Sequence, residues 1–378
     1  MPLYSDDAII LSYTYYNTQL QVTATDETTF RILDTLWKET GRPVSIHELT
    51  SRIRKSHGTA YYTNIYQKMR ALTSDGTITL TKAGRSSIAN LNFTNYLLID
   101  LLTEMELKRK RDLLAKSKEL QMLFKDAEER YEDIRSIDSI SVINAERNLK
   151  LNRAELLVLL HDSKDNSPHR KIIGIHAITR DLQALHNIKL DIIILTNDAL
   201  LGFLTSDEIN PLREMVSSKL TFHSPQGFWT HIAAALARGY RIKLLETDTN
   251  PAKIPEKDLI FNLVRFGYKE IGHEIREGER ICIEYVIASM LLKEDARRID
   301  AIPTLLAKNK TSYSLLIFLS QKYRLSGRLS GLLKALNKIR PMTEAAAAIE
   351  ILETLNTKEV KADEKSIEQK MRLYNAIR

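Results

Sequence analysis

Six histidines, His161, His169, His176, His186, His223 and His231, are spread over about seventy residues of this 378-residue chain. No two stand at an HxxxH or HExxH spacing, which would put two imidazoles on one face of a helix around a metal ion. No metal site is therefore expected. Asp162 and Asp165 read as a turn-forming pair rather than an acid and a base. Cys282, the single cysteine, sits in the apolar run ICIEYVIA and reads as core. One cysteine also excludes an internal disulfide and a multi-cysteine zinc site. The chain has no GxxxxGK[ST], no GxGxxG after a strand and no GxSxG, and Gly327 and Gly331 mean little by their spacing alone. Neither a catalytic residue nor a cofactor is expected.

One stretch points to another kind of chemistry. Between Gly41 and Asn90 there are eight basic residues, Arg42, Arg52, Arg54, Lys55, Lys68, Arg70, Lys82 and Arg85, against Glu48 and Asp75. The local excess is +6 of a total net charge of +7. Charge so concentrated implies a polyanionic partner. From Gly58 to Leu91 the pattern is a polar-faced helix followed by a small hairpin. Tyr62, Ile65, Met69 and Leu72 recur at three- and four-residue spacing as a buried stripe, leaving Thr63, Asn64, Gln67, Lys68 and Arg70 outside. Amides pair with base edges, and cations pair with phosphates or guanine. Asp75-Gly76 stops the helix, and Lys82-Ala83-Gly84-Arg85 turns between two short strands carrying Ile78, Leu80, Ile88 and Leu91.

The elements before this stretch are there to position it. A first helix starts near Asp26 with Phe30, Leu33, Leu36 and Trp37 inward, and Gly41-Arg42-Pro43 ends it. Ser45 with Glu48 three residues on forms a capping-box pattern, which opens a second helix with Leu49 and Ile53 inward and His47 at the surface. Residues 3–24 carry two β-favouring runs and predict a hairpin. The order helix, helix, polar-faced helix, hairpin over residues 26–91 resembles the winged helix-turn-helix DNA-binding domain. The resemblance implies that the third helix enters the major groove and that the Lys82–Arg85 turn is the wing. Thr59, Tyr61, Thr63, Asn64, Gln67, Lys68 and Arg70 would then contact bases or phosphates, and Arg54, Lys55, Lys82 and Arg85 would clamp the backbone.

A long charged helix is expected from the 96–100 region to about Arg135. Leu113, Leu120, Ala127 and Ile134 recur in it every seven residues, although Lys110 and Ser117 interrupt a second row. A dimerisation stalk through residues 100–135 and a linker helix packing on its own chain both fit this row. Beyond Ser139 apolar runs alternate with helical ones. RAELLVLL, KIIGIHAI, KLDIIILT and KLTFH read as strands, TRDLQALHNI and GFWTHIAAALARGY as helices, and the stretch from Asn197 to Ser218 as a single helix. This succession is similar to the nucleotidyltransferase fold found fused to winged helices and in toxin–antitoxin systems. That resemblance implies a Gly-Ser and paired aspartates holding two magnesium ions. Only Asp191 matches, so catalysis is expected to be lost. After ETDTNPAKIP everything reads helical, ending in a charged tail expected to be exposed or disordered.

The predicted class is α+β and mostly helical. Its parts are a winged-helix domain with its hairpin (1–95), a long helix (96–138), an α/β domain (139–250) and a helical domain (251–378). The function expected is DNA-binding transcriptional regulation, antitoxin-like in one version. A divergent nucleotidyltransferase processing nucleic acid is the alternative. Double-stranded DNA is the expected partner, with a protein partner on the C-terminal domains as a further one. No apolar run reaches the length of a membrane span and there is no signal-peptide pattern, so a cytoplasmic location is expected. Hydrophobic content of 43% and charged content of 27% fit that class.

Overall fold

The computed structural model describes residues 26–132, 134, 136–145, 152–161, 168–244, 250–269 and 277–377. The chain divides into two compact units, one ending at Met105 and the other beginning at Glu106. The segments read from sequence as 139–250 and 251–378 belong to the same unit, and the stretch 96–138 is split between the two. The hairpin expected over residues 3–24 and the Asp162–Asp165 pair lie outside the described residues. The protein is α+β and mostly helical, with two small sheets among the described residues. No described helix is long and apolar enough to cross a membrane.

In the first unit, α1 (Glu27–Lys38) starts where the Asp26 carboxylate accepts a hydrogen bond from the Thr29 N–H at 2.8 Å. Phe30, Leu33, Leu36 and Trp37 are buried, as their spacing predicts. After β1 (Val44–Ser45) comes α2 (Ile46–His57), capped by the Ser45 hydroxyl, which accepts from the Glu48 N–H at 3.2 Å. Glu48 does not complete the box, because its carboxylate receives Arg42 and Arg52 instead. Next is α3 (Tyr62–Ser74), followed by β2 (Ile78–Ala83) and β3 (Ser86–Leu91). The strands make an antiparallel sheet in the order β1-β3-β2. Ala83 faces Ser86, so the connection between β2 and β3 is only Gly84-Arg85.

The buried stripe of α3 is Ile65, Met69 and Leu72. Tyr62 does not share it, being 47% exposed. A ring carrying a hydroxyl loses little by staying at the surface, and here it stacks on Tyr66 one turn on, with centroids 5.9 Å apart.

The expected long helix is two helices. α4 (Tyr96–Leu114) carries the boundary between the units, and α5 (Lys118–Glu132) restarts after a break at Ala115–Ser117. Ser117, which interrupts the heptad row, caps the new helix by accepting from the Leu120 N–H at 3.3 Å. The row's buried members, Leu113 and Ala127, together with Phe124 and Tyr131, lie in the core of the chain's own sheet. The stripe that spaces like a coiled coil is therefore spent within the chain.

That sheet has the order β6-β5-β4-β7, made by β4 (Ile137–Ile143), β5 (Arg153–Leu160), β6 (Lys189–Thr196) and β7 (Lys219–His223). β5 and β6 are parallel and joined through α6 (Pro168–His186), while β4 runs antiparallel to β5 and β7. Ile140, Val142, Leu156, Val158, Ile192, Ile194 and Phe222 alternate along the strands onto one face, covered by α5 and α6. The other face is covered as well, so β5 and β6 read as continuous apolar runs.

Several expectations change in this unit. KIIGIHAI is the first half of α6 and not a strand. Ile172, Ile175 and Ile178 fall on one helical face toward the core, and β-branching alone imitates a strand. IDSISVI, which is not among the strands expected, is β4, with Ser139 and Ser141 buried and the Ser141 hydroxyl 3.0 Å from that of Thr221. The helix expected from Asn197 to Ser218 is interrupted, giving α7 (Asn197–Thr205) and α8 (Leu212–Ser217) around Asn210-Pro211. α9 (Pro225–Ala237) follows β7.

The remaining helices are α10 (Glu256–Arg265), α11 (Ile283–Lys293), α12 (Ala296–Ile299), α13 (Ile302–Lys308), α14 (Tyr313–Lys322), α15 (Ser326–Ile339), α16 (Thr343–Thr354) and α17 (Glu364–Leu373). α14 is tied to the sheet. Lys322 pairs with Glu155 at 2.9 Å, and the Lys189 ammonium donates to the Gln321 carbonyl at 3.0 Å. The charged tail packs too, since Ile367 and Met371 of α17 are fully buried.

Candidate functional site

The first candidate is the outer face of residues 54–85. Thr63, Asn64, Gln67 and Arg70 are exposed on α3, as are Thr59 and Tyr61 before it and Lys82 and Arg85 around the hairpin tip. Arg54 and Lys55 are exposed at the end of α2. Arg54 also braces the approach to α3, because its Nε and Nη2 both donate to the Ala60 carbonyl, at 3.2 and 3.0 Å.

The eight cations counted along the chain are not equivalent. Arg42 and Arg52 are neutralised by Glu48, and Arg52 also pairs with Glu39. Lys68 is half-buried and its ammonium is 2.5 Å from Asp26. Burial works to raise the Asp26 carboxyl, but hydrogen bonds from Lys68 and Thr29 outweigh it and hold the group below the ordinary aspartate value. Five cations remain on this face without an ion-pair partner among the described residues: Arg54, Lys55, Arg70, Lys82 and Arg85.

An aromatic patch joins them. Tyr61, Tyr62 and Tyr66 are 70%, 47% and 40% exposed, and His47 lies 6.4 Å from the Tyr62 ring. Periodicity assigned Tyr62 to the core. The signal that would have corrected this is three tyrosines within six residues, more polar rings than one short amphipathic helix can bury.

A second constellation lies in the other unit, where β5 and β6 end and β4 begins. His161 follows β5, Asp138 stands near the start of β4, Asn197 opens α7, and His231 lies on α9. His161 Nδ1 is 3.0 Å from Asp138 Oδ1, and His231 Nε2 is 3.1 Å from Asp138 Oδ2. The Asn197 Nδ2 is 3.2 Å from His231 Nε2 and also contacts Asp138 Oδ2. Asp138, His161 and His231 place one ligand atom each within 4.8 Å of one another. Spacing along the chain hides this set, because β5, β4 and α9 bring it together only through the sheet. The signal available was position, since the carboxyl ends of parallel strands are where α/β sheets bind ligands.

Asp191 belongs to neither group. It is 1% exposed at the start of β6, at the opposite end of the strand from Asn197, where Arg153 holds it and the Lys189 ammonium lies 3.2 Å away. Cys282 is core as expected, and burial, with the nearby Glu284, pushes its thiol well above the ordinary value. A cavity of about 680 Å³ opens beside it, lined in part by Phe203, Phe266, Glu284 and Ser312.

No protein-family model, curated protein or solved structure matches this chain.

Proposed function

We propose that residues 26–91 are a winged helix-turn-helix that reads duplex DNA, and that the protein is a DNA-binding regulator. The observation that carries this reading is the set of five unneutralised cations flanking exposed Asn64 and Gln67. Cations without carboxylate partners attract phosphates, and amides on an exposed helix suit base edges. The element order supports it as well: α1, β1, α2 and α3, then a hairpin whose tip carries Arg85 between Gly84 and Ser86. In this reading α3 is the recognition helix and the Gly84-Arg85 connection is the wing.

A regulator needs an input. The cavity of about 680 Å³ is of the size that takes small molecules. Glu284 gives it one polar handle. Burial raises its carboxyl above the ordinary value, and the Ser312 N–H donates to it at 2.6 Å. DNA binding is placed ahead of nucleotidyl transfer because Asp191, the one carboxylate matching that resemblance, is already committed to Arg153 and Lys189.

The test is titration of the full chain with duplex oligonucleotides over a range of salt, after selection of a preferred sequence from a random pool. Lys82→Ala and Arg85→Ala are expected to weaken binding to all duplexes alike and to flatten the salt dependence. Asn64→Ala and Gln67→Ala are expected to cost about 1–3 kcal/mol of discrimination between the selected sequence and random DNA. Binding that is insensitive to salt, or a preference untouched in both amide variants, refutes the assignment.

A further inference from the structure

We propose that Asp138, His161 and His231, with Asn197 beside them, bind a first-row transition-metal dication of the Zn²⁺ type. The argument starts from a closed triangle of polar atoms. Asp138 Oδ2, His231 Nε2 and the Asn197 amide are each in contact with the other two. At most two of the three contacts can be hydrogen bonds at once: Asp138 can accept from both Nε2–H and the Asn197 NH₂, and the 3.2 Å contact between the two nitrogens is then not one. If the Asn197 NH₂ donates to both neighbours, the carboxylate oxygen and Nε2 meet lone pair to lone pair. If Nε2 carries a proton toward Asp138, it meets the Asn197 NH₂ donor to donor. Turning the amide so that its oxygen faces inward sets that oxygen against the carboxylate.

A cation offers these atoms another arrangement, in which all the lone pairs point at one centre and the third contact becomes a shared ligand edge. The spacing suits one. At the tetrahedral angle, metal–ligand bonds of about 2.0–2.2 Å put neighbouring ligand atoms about 3.3–3.6 Å apart. Here the imidazoles stand 3.0 Å from Asp138 Oδ1 and 3.1 Å from Oδ2, and one ligand atom from each residue lies within 4.8 Å of the others, so modest shifts bring the three to one ion. With its oxygen turned inward, Asn197, which is 5% exposed, supplies a fourth group.

The surrounding backbone is shaped to hold this arrangement. A Cβ at Gly227 would lie 3.2 Å from the Asp138 carbonyl and 2.7 Å from the Ser224 hydroxyl, so the absence of a side chain lets α9 settle on the start of β4. His231 is one helical turn beyond Gly227 and so shares the face directed at Asp138. Beside the other imidazole, the backbone N–H of His161 donates to the Ser136 carbonyl at 2.8 Å, tying the end of β5 to the approach to β4.

The ligand set decides the class of ion. Two imidazoles and a carboxylate select zinc and its neighbours, whereas Mg²⁺ and Ca²⁺ take oxygen donors. The Asp138 side chain is 11% exposed but that of His161 is 63% exposed. One side of the ion therefore faces solvent and keeps a position for water or a ligand oxygen, unlike a closed structural site.

The experiment is Zn²⁺ titration of the metal-stripped full chain, read by calorimetry and by competition with a chromophoric chelator. Binding should be tight and saturable, should not be displaced by excess Mg²⁺, and should be weakened at least about tenfold by His231→Ala and Asp138→Asn. His161→Ala decides the case if either of those fails to fold, because that side chain is mostly in solvent. Co²⁺ in the same site should show visible d–d absorption that His161→Ala alters. Absence of saturable Zn²⁺ binding by the folded chain overturns the proposal, as does full affinity in His161→Ala and His231→Ala.

Discussion

Glu106 and Lys219 form an ion pair inside the second unit, each side chain only 1% exposed. The pair is supported on several sides. The second carboxylate oxygen of Glu106 accepts from the Thr221 N–H at 3.1 Å, and the ammonium donates to the Thr221 hydroxyl at 2.9 Å. The same ammonium lies 3.9 Å from the Phe228 ring centroid and 4.3 Å from that of Trp229. Glu106 comes from the middle of α4, where the second unit begins, and Lys219 from β7, so the pair pins that part of α4 to an edge strand.

Removing one partner leaves a buried charge without its counterion, which costs about 3–5 kcal/mol. Glu106→Gln and Lys219→Met should each lower stability by that order in urea unfolding. The double variant should recover much of the loss, since it buries no charge. A double variant as unstable as the two single ones combined would mean that the pair contributes through packing alone.

His176 makes stability depend on acid. It is 3% exposed on α6, its Nδ1 has no hydrogen-bond partner, and burial pushes its pKa down to about 4. The unfolded chain takes up a proton at about pH 6.5 and the folded chain only near pH 4. The contribution is therefore complete above pH 6.5 and is lost as pH falls from there toward 4. A difference of that size corresponds to about 3 kcal/mol. His176→Leu should flatten the stability of the chain between pH 7 and pH 4 relative to the parent, measured by denaturant midpoints. An unchanged pH slope would locate the acid sensitivity elsewhere.

The two units differ in how far their sequences reveal them. In the described part of the first, local signals and tertiary outcome mostly coincide, Tyr62 and the Glu48 side chain being the exceptions. The first helix starts at Asp26 as expected, Ser45 caps the helix it was expected to cap, and Ile65, Met69 and Leu72 turn inward at helical spacing. In the second, β5 and β6 declare themselves as apolar runs, but burial on both faces erases the alternation that would show register. The same effect hides β4, where buried Ser139 and Ser141 look like surface residues, and lets the isoleucines of α6 pass for a strand. The candidate site residues follow this division. Asn64 and Gln67 could be placed from one helix, whereas Asp138, His161 and His231 converge only through strand order, which no spacing rule encodes.

Gly327 and Gly331 illustrate the same limit, since their spacing acquires meaning only from a segment thirty residues away. Both lie on α15, and the chain after α16 crosses them closely enough for the Val360 N–H to donate to the Gly327 carbonyl at 2.9 Å. A Cβ at Gly331 would stand 1.9 Å from the Val360 carbonyl oxygen, and one at Gly327 would stand 2.4 Å from that of Lys358. The obstacle is backbone, which cannot rotate aside as a side chain can. Gly331→Ala should therefore destabilise by about 1–3 kcal/mol or more, with increased protease cleavage between residues 357 and 363 as the crossing segment lifts. A variant as stable and as resistant as the parent would show that the segment is not held there in solution.

The contrast between Arg70 and Lys68 tests the proposed nucleic-acid surface most sharply, because sequence treats them alike and the structure does not. Arg70 is exposed without an ion-pair partner among the described residues, whereas Lys68 already neutralises Asp26. A cation that must leave a carboxylate before reaching a phosphate gains less, since the carboxylate is then left alone and repels the duplex. Each phosphate neutralised contributes about one unit to the slope of log K against log salt. Arg70→Ala should thus reduce that slope by about one unit, and Lys68→Ala should change it by clearly less. The Asp26→Asn variant supplies the complementary arm. With its partner gone, the Lys68 ammonium becomes available, so affinity should rise and the slope should steepen. Equal losses in Arg70→Ala and Lys68→Ala, with no gain in Asp26→Asn, would mean that Lys68 abandons Asp26 in the complex and that all the cations of α3 act together.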